Sequence, residues 1–287
     1  MTPNQLLRRG IAWASAAALA GIAYSSMIEP GWVDVTRVSL ALPRLAPVFC
    51  GYRVIQLSDL HMGDWMNAAR LNAVVRLANE HSPDLIAITG DFITRRAVSH
   101  MRDLACGLGR LKARDGVVAV LGNHDHWSDA QAVRDVLAAS GICELANDFR
   151  TLHRAGAQLH VAGVDDIIAG CDRLDLLLAR LPTDGVAILL AHEPDFADES
   201  AATGRFALQL SGHTHGGQIV APLLGPLLLP AHGRKYPSGR YQVGGMIQYT
   251  NRGVGVVSPF VRINCRPEVT VFDLHAQSGC LCKPADK

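Results

Sequence analysis

Charge of one sign is missing from this chain: 27 lysines and arginines stand against 26 aspartates and glutamates, for a net charge of +1. Aromatic residues are scarce at 6%, and no basic run with interleaved aromatics occurs. Duplex nucleic acid is therefore not expected as the main ligand, since such sites need a clustered cationic footprint. The odd count of seven scattered cysteines argues against a closed disulfide framework. Cys280 and Cys282, in GCLCK, read as free thiols in a frayed tail, with metal binding or a disulfide as alternatives. Repeats and low-complexity linkers are absent beyond the N-terminal region. What is present is a hydrophobic fraction of 49%, enough for a substantial core rather than disorder.

Residues 11–28 (IAWASAAALAGIAYSSMI) carry no charge and lie between Arg8-Arg9 and Glu29-Pro30. That length is at the lower edge of a membrane span and above a signal-peptide apolar core. The segment is apolar all round and terminal, which favours a membrane anchor over a buried core helix. Alanine richness around Ala18-Leu19-Ala20 leaves a cleaved signal peptide open, and the arginine pair hints at twin-arginine export. An uncleaved anchor is the preferred reading. The positive-inside tendency keeps the arginines cytoplasmic and puts the main domain on the far side.

Beyond the anchor, residues 33–40 alternate at period two and suggest a first strand. Strands are predicted at 53–57, 85–89 and 117–121, and helices at 68–80, 104–111 and 128–139. Short β-rich runs follow at 151–154 and 158–164, then strands at 186–190, 206–210, 246–250 and 269–274. Strand–helix alternation followed by hairpin-rich sequence predicts an α/β protein with a mixed second sheet. The expected division is an anchor over 1–30, a connector with the first strand over 31–51, a catalytic domain over 52–276 and a disordered tail over 277–287.

Five of the apolar strands stop at a short polar motif: Ser58-Asp-Leu-His61, Gly90-Asp91, Gly122-Asn-His-Asp125, Ala191-His192-Glu193 and Gly212-His-Thr-His215. Ligands gather at the carboxyl ends of strands in open α/β sheets. Any one motif is more often a capped turn than a ligand site. Five in register make a mixed nitrogen and oxygen site for divalent metal the better reading. Its candidate donors are Asp59, His61, Asp91, Asn123, His192, His213 and His215.

The order D-x-H, GD, GNHD, H and GHTH resembles the calcineurin-like metallophosphoesterase family, and the match runs from about Tyr52 to about Leu274. The sequence SGHTHGGQ over 211–218 and the later Asn251-Arg-Gly-Val-Gly255 are most similar to membrane-anchored bacterial phosphodiesterases. That branch includes enzymes acting on UDP-2,3-diacylglucosamine. The resemblance implies a four-layer αββα sandwich with two mixed sheets, in addition to the N-terminal membrane helix. It also implies two divalent ions, with manganese, iron and zinc all suited to these donors. Asp59, His61 and His215 would hold one ion, Asn123, His192 and His213 the other, and Asp91 would bridge them. His124 would protonate the leaving-group oxygen, with Asp125 a candidate for orienting it. The implied activity is hydrolysis of a phosphodiester or pyrophosphate, with a monoesterase, a nuclease or a non-catalytic scaffold as alternatives.

The proline-broken apolar run over 219–230 has two readings. It is a loop packed on the core, or an apolar lip that touches a bilayer or acyl chain. In the second case Arg234, Lys235 and Arg240 would meet phosphate or anionic headgroups. A lipid-linked phosphate ester is then the expected partner, at a bacterial inner membrane. Nucleotide-linked lipid precursors belong to the cytoplasmic face, whereas the arginine bias points outward.

Overall fold

Leu85–Thr89 is apolar up to its last residue because both of its faces are covered, the pattern of a strand inside a layered sheet. Five further strands join it. In chain order the computed structural model has α1 (Pro3–Ala23), β1 (Asp34–Leu42), β2 (Tyr52–Leu57), α2 (Ala68–Glu80), β3 (Leu85–Thr89), α3 (Met101–Leu108) and β4 (Val117–Val120). There follow α4 (Asn123–Ser128), α5 (Ala130–Ala139), β5 (Cys143–Glu144), β6 (Asp148–Arg154), β7 (Ala157–Gly163), α6 (Leu174–Arg180) and β8 (Val186–Leu190). The chain continues through α7 (Ala197–Ala202), β9 (Leu208–Ser211), β10 (Val220–Ala221), β11 (Gly225–Pro226), β12 (Gly239–Val243), β13 (Met246–Thr250) and β14 (Glu268–Ala276). The structure describes residues 3–63, 65–94 and 97–277. Cys280, Cys282 and the tail from 278 onward lie outside the described residues.

One six-stranded sheet runs β1-β14-β2-β3-β4-β5, and the other runs β12-β13-β9-β8-β7-β6. Both are mixed: β14 is antiparallel to β2 but parallel to β1, while β7, β8, β9 and β13 are parallel and the edge strands β6 and β12 are antiparallel to their neighbours. Between the sheets lies a core of Leu40, Tyr52, Val54 and Val118 against Leu159, Ile188, Leu208 and Tyr249. Leu71, Leu104 and Val133, from α2, α3 and α5, cover the outer face of the first sheet. Leu174, Leu177 and Ala197, from α6 and α7, cover the second. The result is the αββα sandwich that the resemblance implied.

Two helices differ from expectation. The helix predicted over 128–139 starts at Ala130, because Asp129 (φ −160°, ψ 86°) leaves helical space and its carboxylate accepts the Ala132 N–H at 3.0 Å; Ser128 instead ends the separate α4, which was not predicted. An Asp at that position caps a new helix more favourably than it continues an old one. The helix predicted at 104–111 sits three residues earlier and stops at Gly109. The edge strand β12, half-buried and alternating, carried no distinct signal in the sequence.

The span Pro3–Gly31 has a mean hydropathy of 1.5, and only 6% of its apolar window is buried. By length and composition it is enough to cross a membrane. Its last residues are different in kind. They form a π-helical turn (Tyr24–Ile28) and a 3-10 turn (Glu29–Gly31) that dock on the sandwich, with Ser25 and Glu29 buried.

Candidate metal centre

All five polar motifs sit at the carboxyl ends of strands: after β2, β3 and β4 in one sheet, and after β8 and β9 in the other. Three of the five turns that deliver them, those after β2, β3 and β9, are forced. Asp59, His61, Asp91, His213 and His215 all have positive φ, between 48° and 70°. Side chains with a Cβ rarely adopt that region, and holding them there costs on the order of 1–3 kcal/mol each. Such a cluster persists only where the surrounding structure over-determines it.

Glycine supplies space more than φ here. A Cβ on Gly212 would meet Ser58 Oγ at 1.9 Å and Asp59 Oδ2 at 2.4 Å, so the histidine loop lies directly on the Asp59 loop. The two loops are also hydrogen-bonded, with the His213 N–H donating to Asp59. Asn251-Arg-Gly-Val-Gly255 closes the other side: Val254 N–H donates to Ser58 O and Gly255 N–H to Asp59 O. Behind this motif Arg262 is fully buried and donates to the carbonyls of Arg252, Gly253, Gly255 and Cys265. Burial pulls its pKa down to about 10, still high enough to keep the guanidinium charged. Asp125 does not orient His124; its carboxylate accepts the N–H groups of Gly122, Phe92 and Ile93 and pins the Asp91 loop to α4.

The donor atoms converge. Asp59, His61 and His215 form one group with ligand atoms within 4.8 Å of one another, and Asp59, Asp91 and His192 form a second. Asp91 Oδ2 lies 3.4 Å from His61 Nε2 and 3.3 Å from His192 Nε2, between the two groups. Hydrogen bonds fix two ring tautomers. His192 Nδ1 donates to Thr89 O at 2.7 Å, leaving Nε2 buried, without a hydrogen-bond partner and facing Asp91. His213 Nε2 donates to Ala231 O at 2.8 Å, leaving Nδ1 as its lone pair. A backbone carbonyl holding one ring nitrogen while the other is free is the usual arrangement of a metal-binding histidine. Asn123 Oδ1 is also buried and unpartnered. His61 Nε2 and His215 Nε2 face each other at 3.0 Å.

Electrostatics agree with cation binding. Burial drives the pKa of His61 and of His213 down to about 3, and that of His215 well below the ordinary value. These rings are neutral at pH 7 and have lone pairs to give. Burial also opposes charge on Asp91, yet His192 outweighs it and holds the carboxyl well below its usual range, while Asp91 in turn lifts His192 well above the ordinary imidazole value against burial. Asp59 is pushed up to about 7, chiefly by burial, so its ionised form calls for a positive neighbour. The residues therefore fit two divalent ions: carboxylates, an amide oxygen, three neutral imidazoles and the His192 ring, which would release its proton on binding metal, with orphaned atoms aimed inward.

Beside these donors opens a cavity of about 540 Å³, with His61, Asp91, Asn123, His124, His213 and His215 on its floor. Its walls are apolar, built from Ile168, Ile219, Leu227, Leu228, Leu229 and Pro259. Trp127 also lines it, its ring 5.1 Å from that of His124, one helical turn earlier in α4. The i, i+3 spacing of His124 and Trp127 was a readable signal for that neighbour. Arg262 had none, since it comes from an irregular loop. Arg234, Lys235 and Arg240 do not line the cavity. The backbones of Arg234 and Lys235 bind Asp195, the Lys235 ammonium pairs with Asp198, and Arg240 is exposed on β12. Carboxylates of the domain already engage that segment. Met66 is fully buried and Trp65 stacks under Arg70; the pair leads into α2 and does not line the cavity. A cluster away from the centre, His126, Asp165 and Cys171, is structural: His126 and Arg134 occupy the two oxygens of Asp165.

A layered α/β sandwich with this donor set at its strand ends is built for metal-assisted hydrolysis of phosphoric esters. The family model for calcineurin-like phosphoesterases matches residues 52–217, and the chain belongs to that family. It is thus a metal-dependent phosphoric ester hydrolase whose family works with two divalent ions. Its relatives include the uncharacterized metallophosphoesterase YkuE of Bacillus subtilis (strain 168), 36% identical, with 89% of this chain and 90% of the relative covered. Phosphodiesterase YaeI of Escherichia coli (strain K12) is 32% identical, with 93% and 98% covered. A Danio rerio protein named transmembrane protein with metallophosphoesterase domain is 32% identical, with 82% and 56% covered.

Proposed function

We propose that the chain hydrolyses a phosphodiester or pyrophosphate bond in a membrane-associated, lipid-linked substrate of the UDP-2,3-diacylglucosamine type. In this reading it acts from a single N-terminal anchor in a bacterial inner membrane. The observation that carries the reading is the apolar wall of Ile219 and Leu227–229 beside a donor-lined floor, suited to a substrate with one charged and one aliphatic end. The E. coli relative's name, phosphodiesterase, supports the bond type.

We assign Asp59, His61 and His215 to one ion, Asn123, His192 and His213 to the other, and Asp91 to both. The position of Asp91 Oδ2, 3.3–3.4 Å from a histidine of each group, supports the bridging role. The chemistry that two divalent ions supply in such a centre is Lewis acidity, which activates water and neutralises phosphoryl charge. His124 lines the cavity, with its backbone N–H fixed by Asp91 Oδ1 at 2.9 Å and its ring held against His61 and Trp127. From there its ring donates a proton to the departing oxygen. Ile168, Ile219 and Leu227–229 exclude water and seat the aliphatic part.

The test is turnover by the full chain in detergent, loaded in turn with manganese, iron or zinc. Substrates are bis-p-nitrophenyl phosphate, UDP-diacylglucosamine, glycerophosphodiesters and cyclic nucleotides. The diacyl substrate should show the highest kcat/KM, and no turnover of any phosphodiester would end the reading. Reporter tags at each end of the chain read which leaflet is served: an external domain favours a lipid phosphodiester over a nucleotide-linked one.

A further inference from the structure

The hairpin formed by β10 and β11 is out of keeping with a water-facing loop. Its tip residues Leu223 and Leu224 are 106% and 81% exposed, and they lie outside the cavity. A contiguous apolar tip of this kind marks a surface made for another apolar phase. Its neighbour in the fold says which phase. The segment Arg262-Ile263-Asn264 ties the hairpin to the base of the apolar N-terminal helix. On one side Val220 N–H donates to Ile263 O and Asn264 Nδ2 donates to Val220 O. On the other, Arg262 N–H donates to Ser25 O.

The helix base also carries an interfacial set. Trp32 is 51% exposed with the Arg266 guanidinium 3.7 Å above its ring, and Trp65 carries Arg70 at 4.4 Å. Both tryptophans line a groove with Met27 and Ile28. Tryptophan with an arginine at its face is the composition of the headgroup layer, where the ring spans the apolar boundary and the cation reaches phosphate. Hairpin, helix base and tryptophan pairs thus occupy one connected region of the molecule.

We propose that this region is a bilayer-docking surface, in which Leu223 and Leu224 enter the acyl layer beside the point where the N-terminal helix emerges. The surface rests on the membrane-anchor part of the functional reading. It adds that the catalytic body itself is bound to the bilayer, so that Leu227 and Leu228, which follow the hairpin and line the cavity, bring the cavity mouth to the lipid surface. The substrate would then be drawn from the membrane without leaving it.

The full chain, metal-loaded and reconstituted in phosphatidylcholine–phosphatidylglycerol vesicles, provides the test. In Leu223→Trp, the added tryptophan's emission should fall by at least about half when the acyl chains are brominated, as expected for a side chain at the headgroup–acyl boundary. Quenching by aqueous acrylamide and not by brominated lipid overturns the proposal. So does resistance to both quenchers, which would mean burial against a second copy of the chain. The double variant Leu223→Asp/Leu224→Asp should hydrolyse a vesicle-borne phosphodiester at least about tenfold more slowly, since the loss of two lipid-buried leucines exceeds that factor in affinity. Its turnover of bis-p-nitrophenyl phosphate should stay at the wild-type rate, and equal rates on both substrates overturn the proposal. If the wild type turns over neither substrate, the functional reading fails while the quenching result still decides the docking.

Discussion

Asp91 and His124 sit side by side but are assigned different tasks, and single substitutions separate them. Asp91→Asn should bind less metal, read by elemental analysis, because one oxygen of the bridging pair loses its charge. His124→Ala should keep its metal and lose about 10²–10⁴-fold in kcat, the usual span for a general acid. Gly212→Ala should lose both metal and activity, since the new Cβ would overlap Ser58 Oγ and Asp59 Oδ2; overpacking of this kind costs about 1–3 kcal/mol. Gly245→Ala, with open space at its Cβ, is the control and should behave as wild type. The seven candidate donors were legible as residue types at strand ends. Their backbone was not: positive φ at Asp59, His61, Asp91, His213 and His215 falls on residues that carry a Cβ, where a reader looks to glycine. The position of the three cations at 234, 235 and 240 outside the cavity lining was not legible, because charge alone does not reveal that Asp195 and Asp198 stand beside the first two.

Strands covered on both faces, such as β3 and β8, were legible as elements because their apolar runs are uninterrupted. The split between α4 and α5 was not, because the break rests on one Asp whose side chain caps the second helix. The short helix α4 carries a pH-dependent tie. His126 binds Asp165 at 2.8 Å, which joins α4 to the loop after β7. That hydrogen bond raises the His126 pKa, while His126, the Asp166 N–H and Arg134 lower that of Asp165 against the effect of burial. The histidine's contribution is complete below its unfolded pKa of about 6.5 and fades as pH rises through the folded value. The aspartate's is present above its unfolded value of about 3.9 and fades as pH falls through the folded one. His126→Gln should therefore lower Tm more at pH 6 than at pH 9. The difference should be on the order of 1 kcal/mol or less, since the pair is partly solvated.

For the molecule as a whole, the metal centre joins the two sheets, with Asp59 and Asp91 from one and His192, His213 and His215 from the other. Each ion held there stabilises the sandwich by mass action, about 2.7 kcal/mol at a hundredfold excess over Kd. For a domain of this size, stripping metal with EDTA should lower Tm by roughly 5–10 °C per ion removed, and added metal should restore it. A chain that lost activity to EDTA with no change in Tm would place the ions outside the sheet junction. The N-terminal segment belongs to the same whole. Glu29 accepts the Cys265 N–H at 2.8 Å, and the Cys265 thiol lies 3.1 Å from His215 O, so two hydrogen bonds separate the end of the apolar helix from a candidate metal ligand. The consequence concerns interchangeability. An anchor exchanged between relatives at residue 30 would leave Cys265 facing a foreign side chain, whereas one exchanged before Tyr24 would carry Ser25 and Glu29 across intact. The seam between replaceable parts lies inside the helix, upstream of the point where hydropathy alone would cut.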